Sequence, residues 1–212
     1  MKPIISLITC ALFIIYGCRN SGVKYPPTKN IDTTEFSFLK KKFHLLDLNQ
    51  ADKNLGGLTP NYPIAIALQA CEYSIEKDWM TGGFICVVPK PIIKIKDRYV
   101  VINDKQELKK TYAPITSPEE AMAYAILFTK GFPILDQDFF KKEFRYFNGT
   151  PSLSYSIKGT EGYEVKLFSY KTFGCDHPYT EVIFKVHEDG DVEKMHEIEV
   201  FEDPKESGLC VD

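Results

Sequence analysis

The run Gly174-Cys175-Asp176-His177-Pro178-Tyr179 places a thiol and an imidazole two residues apart, the most suggestive cluster for chemistry in the chain. A cysteine attacks as its thiolate, and a histidine within hydrogen-bond reach can produce that thiolate. A small hydrolase-like enzyme built on this turn is one reading. The other makes Cys175 half of a disulfide, with Asp176 and Pro178 shaping the turn, and cysteine counting favours it. Asp176, His177 and Tyr179, together with Trp79 on the Gly-rich run Asp78 to Gly83, form a candidate partner-binding surface, because aromatic residues anchor such surfaces.

Other chemistry has thinner support. The four histidines, His44, His177, His187 and His196, make no H-E-x-x-H and the cysteines no C-x-x-C, so no metal site is predicted. His187 and His196 fall on opposite faces of a predicted hairpin. No G-x-S-x-G, P-loop or G-x-G-x-x-G is present, and no cofactor is predicted. Asp189-Gly190-Asp191 lacks the EF-hand ligand series and reads as a hairpin turn, as does Asn148-Gly149-Thr150, which also fits a glycosylation sequon.

At the N-terminus, Lys2 is followed by an apolar run from Ile4 to Tyr16, about 13 residues. A bilayer core needs ~20 helical residues, so the run is too short to span and has the form of a secretory signal peptide. Its cut falls after Gly17. Ile15-Tyr16-Gly17-Cys18 resembles the lipobox of bacterial lipoproteins, in which an aliphatic residue, a variable residue and Gly or Ala precede Cys. Tyr16 stands where that pattern usually has a small or aliphatic side chain. The resemblance implies a diacylglyceryl group on Cys18, cleavage before it and acylation of the new amine. It also implies attachment to a membrane of the bacterial cell envelope, the outer membrane or cell surface. Two or three acyl chains make a stable anchor, at ~0.8 kcal/mol per buried CH₂. The resemblance covers these eighteen residues and says nothing of the domain that follows.

A length of 212 residues suits one domain, and 26% charged with 44% hydrophobic residues is ordinary for a folded protein. Net charge is −3, and loss of Lys2 makes the mature chain near −4. With no basic tract, nucleic acid is not an expected partner. Of six cysteines, Cys10 leaves with the signal and Cys18 is lipidated, which leaves Cys71, Cys86, Cys175 and Cys210. An even remainder in an exported chain predicts two disulfides, with three pairings open. The strand order favours Cys71 with Cys86 and Cys175 with Cys210.

The elements that must position these residues follow from periodicity. Polar residues 19–34, with Pro26-Pro27, read as a tether. Phe36, Leu39, Phe43 and Leu46 recur at helical spacing behind Asp32 or Thr33 as N-cap, with Lys40-Lys41-Lys42 on a solvated face. Ile64, Leu68, Cys71 and Ile75 predict a second helix, although Ile64-Ala65-Ile66-Ala67 also suits a strand. Phe84 to Val88, Ile92 to Lys96 and Tyr99 to Ile102 read as short strands. Ser117-Pro118-Glu119-Glu120 opens the strongest helix signal, with Ser117 as cap, Pro118 in the first turn and Gly131 after the end. Five strands follow: Phe144 to Phe147, Leu153 to Ile157, Tyr163 to Phe173, Thr180 to His187 and Asp191 to Phe201. In the last hairpin, Val186 opposite Val192 and Lys185 opposite Glu193 avoids setting Lys185 against Lys194.

The predicted molecule is an α+β domain over residues 35–212, an antiparallel β-meander with helices packed on one face and two disulfides. It follows a signal peptide (1–17) and a lipidated cysteine with tether (18–34). The expected role is a non-catalytic binding or interaction module with a protein or small-molecule partner in the envelope. The alternatives are the small envelope enzyme already described and a protective lipoprotein that blocks a toxin or hydrolase.

Overall fold

Among the residues that the computed structural model describes, 24–70 and 87–211, Asp32 makes the first helix cap. Its carboxylate accepts from the Thr34 N–H at 2.9 Å, ahead of a 3-10 turn, Thr33–Glu35, and helix α1, Phe36–Phe43. His44 takes a left-handed conformation and ends the helix, so Leu46, the fourth apolar position of the predicted stripe, lies in strand β1, Leu45–Gln50. Part of the predicted tether is packed. Ile31 is buried, Asn30 bridges to Ile64, and the Thr28 hydroxyl lies within hydrogen-bond distance of the Asp52 and Lys53 carbonyls.

The segment from Ile64 is a strand over its described length, β2, Ile64–Ala70, so the helix expected from Ile64 does not begin there, and its later positions Cys71 and Ile75 lie outside the described residues. It runs between β1 and β3, Val87–Ile95, with β4, Arg98–Val101, at the far edge. Ile64 and Ile66 face one core while Ala65 and Ala67 face another, so both sides of the strand are covered and apolar residues occupy every position of the run. Two predicted strands merge into β3 through Pro89 and Pro91. The Lys94 N–H donates to Pro63 and the Ile102 N–H to Pro91, so odd-numbered residues of β3 turn their backbone groups away from β2. Strand β4 ends at Val101 opposite Ile92, and the missing proline N–H groups fall beyond it at no cost to the β2 ladder.

Helix α2, Lys105–Tyr112, is an element the sequence reading lacks. Asp104 accepts from the Glu107 N–H at 2.7 Å and Glu107 accepts from the Asn103 N–H at 2.7 Å, a reciprocal cap. Helix α3, Pro118–Thr129, begins as predicted: the Ser117 hydroxyl accepts from the Glu120 N–H at 3.1 Å. The left-handed residue at its end is Lys130, one before Gly131.

The remaining strands are β5, Arg145–Tyr146; β6, Tyr155–Gly159; β7, Gly162–Tyr170; β8, Pro178–Val186; and β9, Val192–Glu202. They form a second antiparallel sheet in the order β5-β9-β8-β7-β6. The last hairpin has the expected register, Val186 opposite Val192 and Lys185 opposite Glu193, with Gly190 at φ 91°. Strand β9 bulges at Met195 and again at Val200.

Among the described residues the fold is thus α+β with two antiparallel sheets, one of them a half-barrel, and three α-helices. The helices do not share one face of one sheet. Helix α3 is buried on nearly every side between the 3-10 turn Lys53–Gly57 and the second sheet, while Leu39 of α1 packs on the other face of the first sheet. A helix that is apolar on every side beyond its first turn, with three alanines to let its neighbours close in, has this place open to it. A third, aromatic cluster joins Phe140, Phe168 and Phe201 under the segment that leads into β5. Among the described residues no helix is long and apolar enough to cross a membrane.

Candidate functional site

The turn between β7 and β8 brings Cys175 against the end of the chain. Strand β9 runs back beside β8, so Glu202 pairs with Pro178, and the tail beyond it returns to the turn. There Cys175 is bonded to Cys210. Gly174 and Val211 exchange two backbone hydrogen bonds of 2.8 and 2.9 Å, and the Gly208 N–H donates to Cys175 at 3.0 Å.

His177 completes the clasp from inside. It is 3% exposed, with Nδ1 3.0 Å from the Lys171 carbonyl oxygen and Nε2 2.5 Å from that of Leu209. The Leu209 and Lys171 carbonyls favour the protonated ring and raise its pKa, Leu209 the more strongly, with help from the Glu206 carboxylate. The Tyr170 ring lies over the imidazole at 6.1 Å and donates from its hydroxyl to Glu206 at 2.8 Å. Partial desolvation and that carboxylate push the Tyr170 phenol up to about 12.

This geometry defines what the turn can do. A disulfide sulfur is no thiolate, and both imidazole nitrogens are engaged by carbonyls, so Cys175 and His177 do not form a nucleophile and its base. Of the candidate binding surface, Asp176 is exposed, His177 is buried, and Tyr179 is stacked on Phe201 at 4.6 Å with Tyr170 at 4.8 Å. The three do not present one face. Trp79, Cys71, Cys86 and the Cys18 lipobox lie outside the described residues.

Three more polar sites stand out, of which Glu120 alone belongs to a predicted feature, the cap of α3. Lys166, 2% exposed, donates to the Ser152 carbonyl at 2.8 Å, the Ser152 hydroxyl at 2.5 Å and Glu181 at 3.1 Å, between the rings of Tyr155 and Phe168. A serine beside a buried lysine has the composition of a nucleophile and base. Here the three ammonium protons are all donated, two of them to the serine residue itself, so the lysine pins the loop. Lys90, also buried, donates to Asn103 at 2.9 Å. Glu120, 0% exposed, accepts from the Thr59 N–H at 3.0 Å, the Thr116 N–H at 2.8 Å and the Thr116 hydroxyl at 2.9 Å.

An open hollow of about 390 Å³ at the β8–β9 hairpin is lined by Glu161, Glu188, Asp189, Asp191, Glu193 and His187. Four of the five acids are paired with lysines, Glu161 with Lys185, Glu188 with Lys158 and both aspartates with Lys109, while Glu193 has the His187 Nε2 at 3.3 Å. The bulge at Met195 alters the expected relation of the two histidines, because it sets His196 opposite Ile183 and so on the same strand face as His187. Four residues of strand, ~13 Å, still separate them. Among the described residues no group of His, Cys, Asp or Glu could hold a metal ion.

Comparison with protein-family models, curated proteins and solved structures finds no match.

Proposed function

We propose that this chain is a bacterial envelope lipoprotein, held to a membrane by acyl chains on Cys18, whose domain binds a protein or small molecule in the envelope without turning it over. The observation that carries the reading is Cys18 itself, placed after an apolar run of about 13 residues that is too short to span. The Cys175–Cys210 disulfide supports an oxidising compartment. The binding role is favoured over the hydrolase because the sulfur and both ring nitrogens of the Cys175 to His177 turn are already engaged. Intact-mass measurement on protein extracted from bacterial membranes tests the anchor. The expected chain begins at Cys18 and carries acyl mass, and Cys18→Ser abolishes the modification. An unmodified wild-type chain in the soluble fraction overturns the reading.

A further inference from the structure

Among the described residues, strand β9 is paired on one side only over most of its length. Strand β5 meets it at Phe201 and Glu202, and the Phe147 N–H donates to Val200. Among the described residues nothing pairs with Val192 to Glu199 opposite β8. Residues 193–199 are exposed, Met195 at 60% and Ile198 at 40%. An open edge of this length is a template for another strand.

Backbone direction decides which strand fits. The His187 N–H donates to Asp191 at 2.8 Å, so His187 turns toward β9, and by alternation so do Lys185, Ile183 and Glu181. Their partners Glu193, His196 and Ile198 face β8 in return. The positions left facing outward are Val192, Lys194, Glu197 and Glu199, with the bulge residue Met195 between them. In a regular strand Lys194 and Glu197, three residues apart, would face opposite ways. The bulge turns them the same way.

One two-fold axis maps this outward set onto itself. Placed between Met195 and His196, it sets Lys194 against Glu197 of a second copy and Val192 against Glu199, each twice. Glu193 then falls opposite Ile198 and Met195 opposite His196, so no like charges meet. Moving the axis onto Met195 or onto His196 sets Glu193 against Glu197 or Glu199, which is unfavourable. We propose that the free edge Val192–Glu199 is a homodimer contact, in which two copies of β9 pair antiparallel about this axis and join their sheets. The contact is isologous and closes with two chains. The Lys194–Glu197 ion pair within each chain is exchanged for two between chains. The pairing concerns the folded domain and stands independently of acylation at Cys18.

Native mass spectrometry of the full chain, released from detergent micelles, tests it. Wild type is expected as a dimer. Lys194→Glu and Glu197→Lys each set like charges opposite one another twice and should weaken the dimer about tenfold. Mixing the two variants, each with a tag of different mass, should restore a mixed dimer in excess of either homodimer. In the mixed dimer the carboxylate introduced at position 194 of one chain meets the ammonium introduced at position 197 of the other. The ion pair within a chain is lost in both variants and is not restored by mixing, so rescue reads the contact between chains. Both side chains are about half-exposed, and matching circular dichroism of the variants verifies the fold. A monomeric wild type, a dimer indifferent to both substitutions, a mixture without rescue, or a foreign polypeptide bound in place of the second copy each overturns the proposal.

Discussion

The Nε2 of His177 lies 2.5 Å from the carbonyl oxygen of Leu209, and its Nδ1 lies 3.0 Å from that of Lys171. Two carbonyls require two N–H donors, and the imidazolium alone has both. A clasp on the end of the chain is therefore written into the protonation of one ring. Glu206 favours the charged form and the Lys171 ammonium opposes it.

The sign of the pH dependence follows. A histidine whose folded pKa is raised stabilises fully below its ordinary value near 6.5, and the contribution is lost as pH rises through the folded value. Thermal unfolding of wild type and His177→Gln, from about pH 5 to about pH 9, should show the wild-type lead largest at the acid end and shrinking above the ordinary histidine range. A lead that stays constant across the range refutes the double-donor clasp.

Glu120 bridges two segments that sequence places far apart, since its two oxygens accept from Thr59 and Thr116. Glu120→Ala removes the acceptor of both N–H groups and leaves a cavity, and should cost about 2 kcal/mol or more. Urea unfolding measures this, with Glu120→Gln expected to fall between wild type and alanine.

The Tyr124 hydroxyl donates to the Gly190 carbonyl at 2.9 Å, tying the central helix to the β8–β9 hairpin. Tyr124→Phe should cost about 1 kcal/mol. Gly190→Ala should cost more than about 1 kcal/mol, because φ is 91° and the new Cβ would meet Tyr124 Oη and Lys109 Cγ at 3.1 Å. Equal stability of Gly190→Ala and wild type would contradict the left-handed turn.

Lys166 holds the Ser152 loop as a donor, so Ser152 should not react with a fluorophosphonate probe under conditions that label an authentic serine hydrolase. Lys166→Met should destabilise the domain by about 2 kcal/mol, as Glu181 and the Ser152 carbonyl lose their partner. Stoichiometric labelling of Ser152, read by peptide mass mapping, would show instead that it acts as a nucleophile.

Local chemistry was legible in the residues wherever the signal was short-range. Ser117 and Pro118 marked the start of α3, and like-charge avoidance at Lys185 selected the hairpin register. From that register, the return of the tail to Cys175 followed. Where two tertiary faces compete, the residues were ambiguous. Ile64-Ala65-Ile66-Ala67 is covered on both sides, which removes the alternation that separates strand from helix. The cap of α2 was present in Asp104 and Glu107 and was missed beneath a highly polar helix. The clasp of His177 on Leu209, the ammonium of Lys166 and the bond of Glu120 to Thr59 depend on segments many residues away, and no spacing rule reaches them; only the Glu120 bond to Thr116, four residues back, is local. The Met195 bulge likewise has no marker such as glycine.

Pro89 and Pro91 give the first sheet a different fate from the second. A strand arriving beyond Val101 would find carbonyls at these two positions and no N–H, so its ladder could not be completed. That margin cannot recruit. The prolines therefore keep this stretch of β3 from pairing edge to edge with another chain, whatever β9 does.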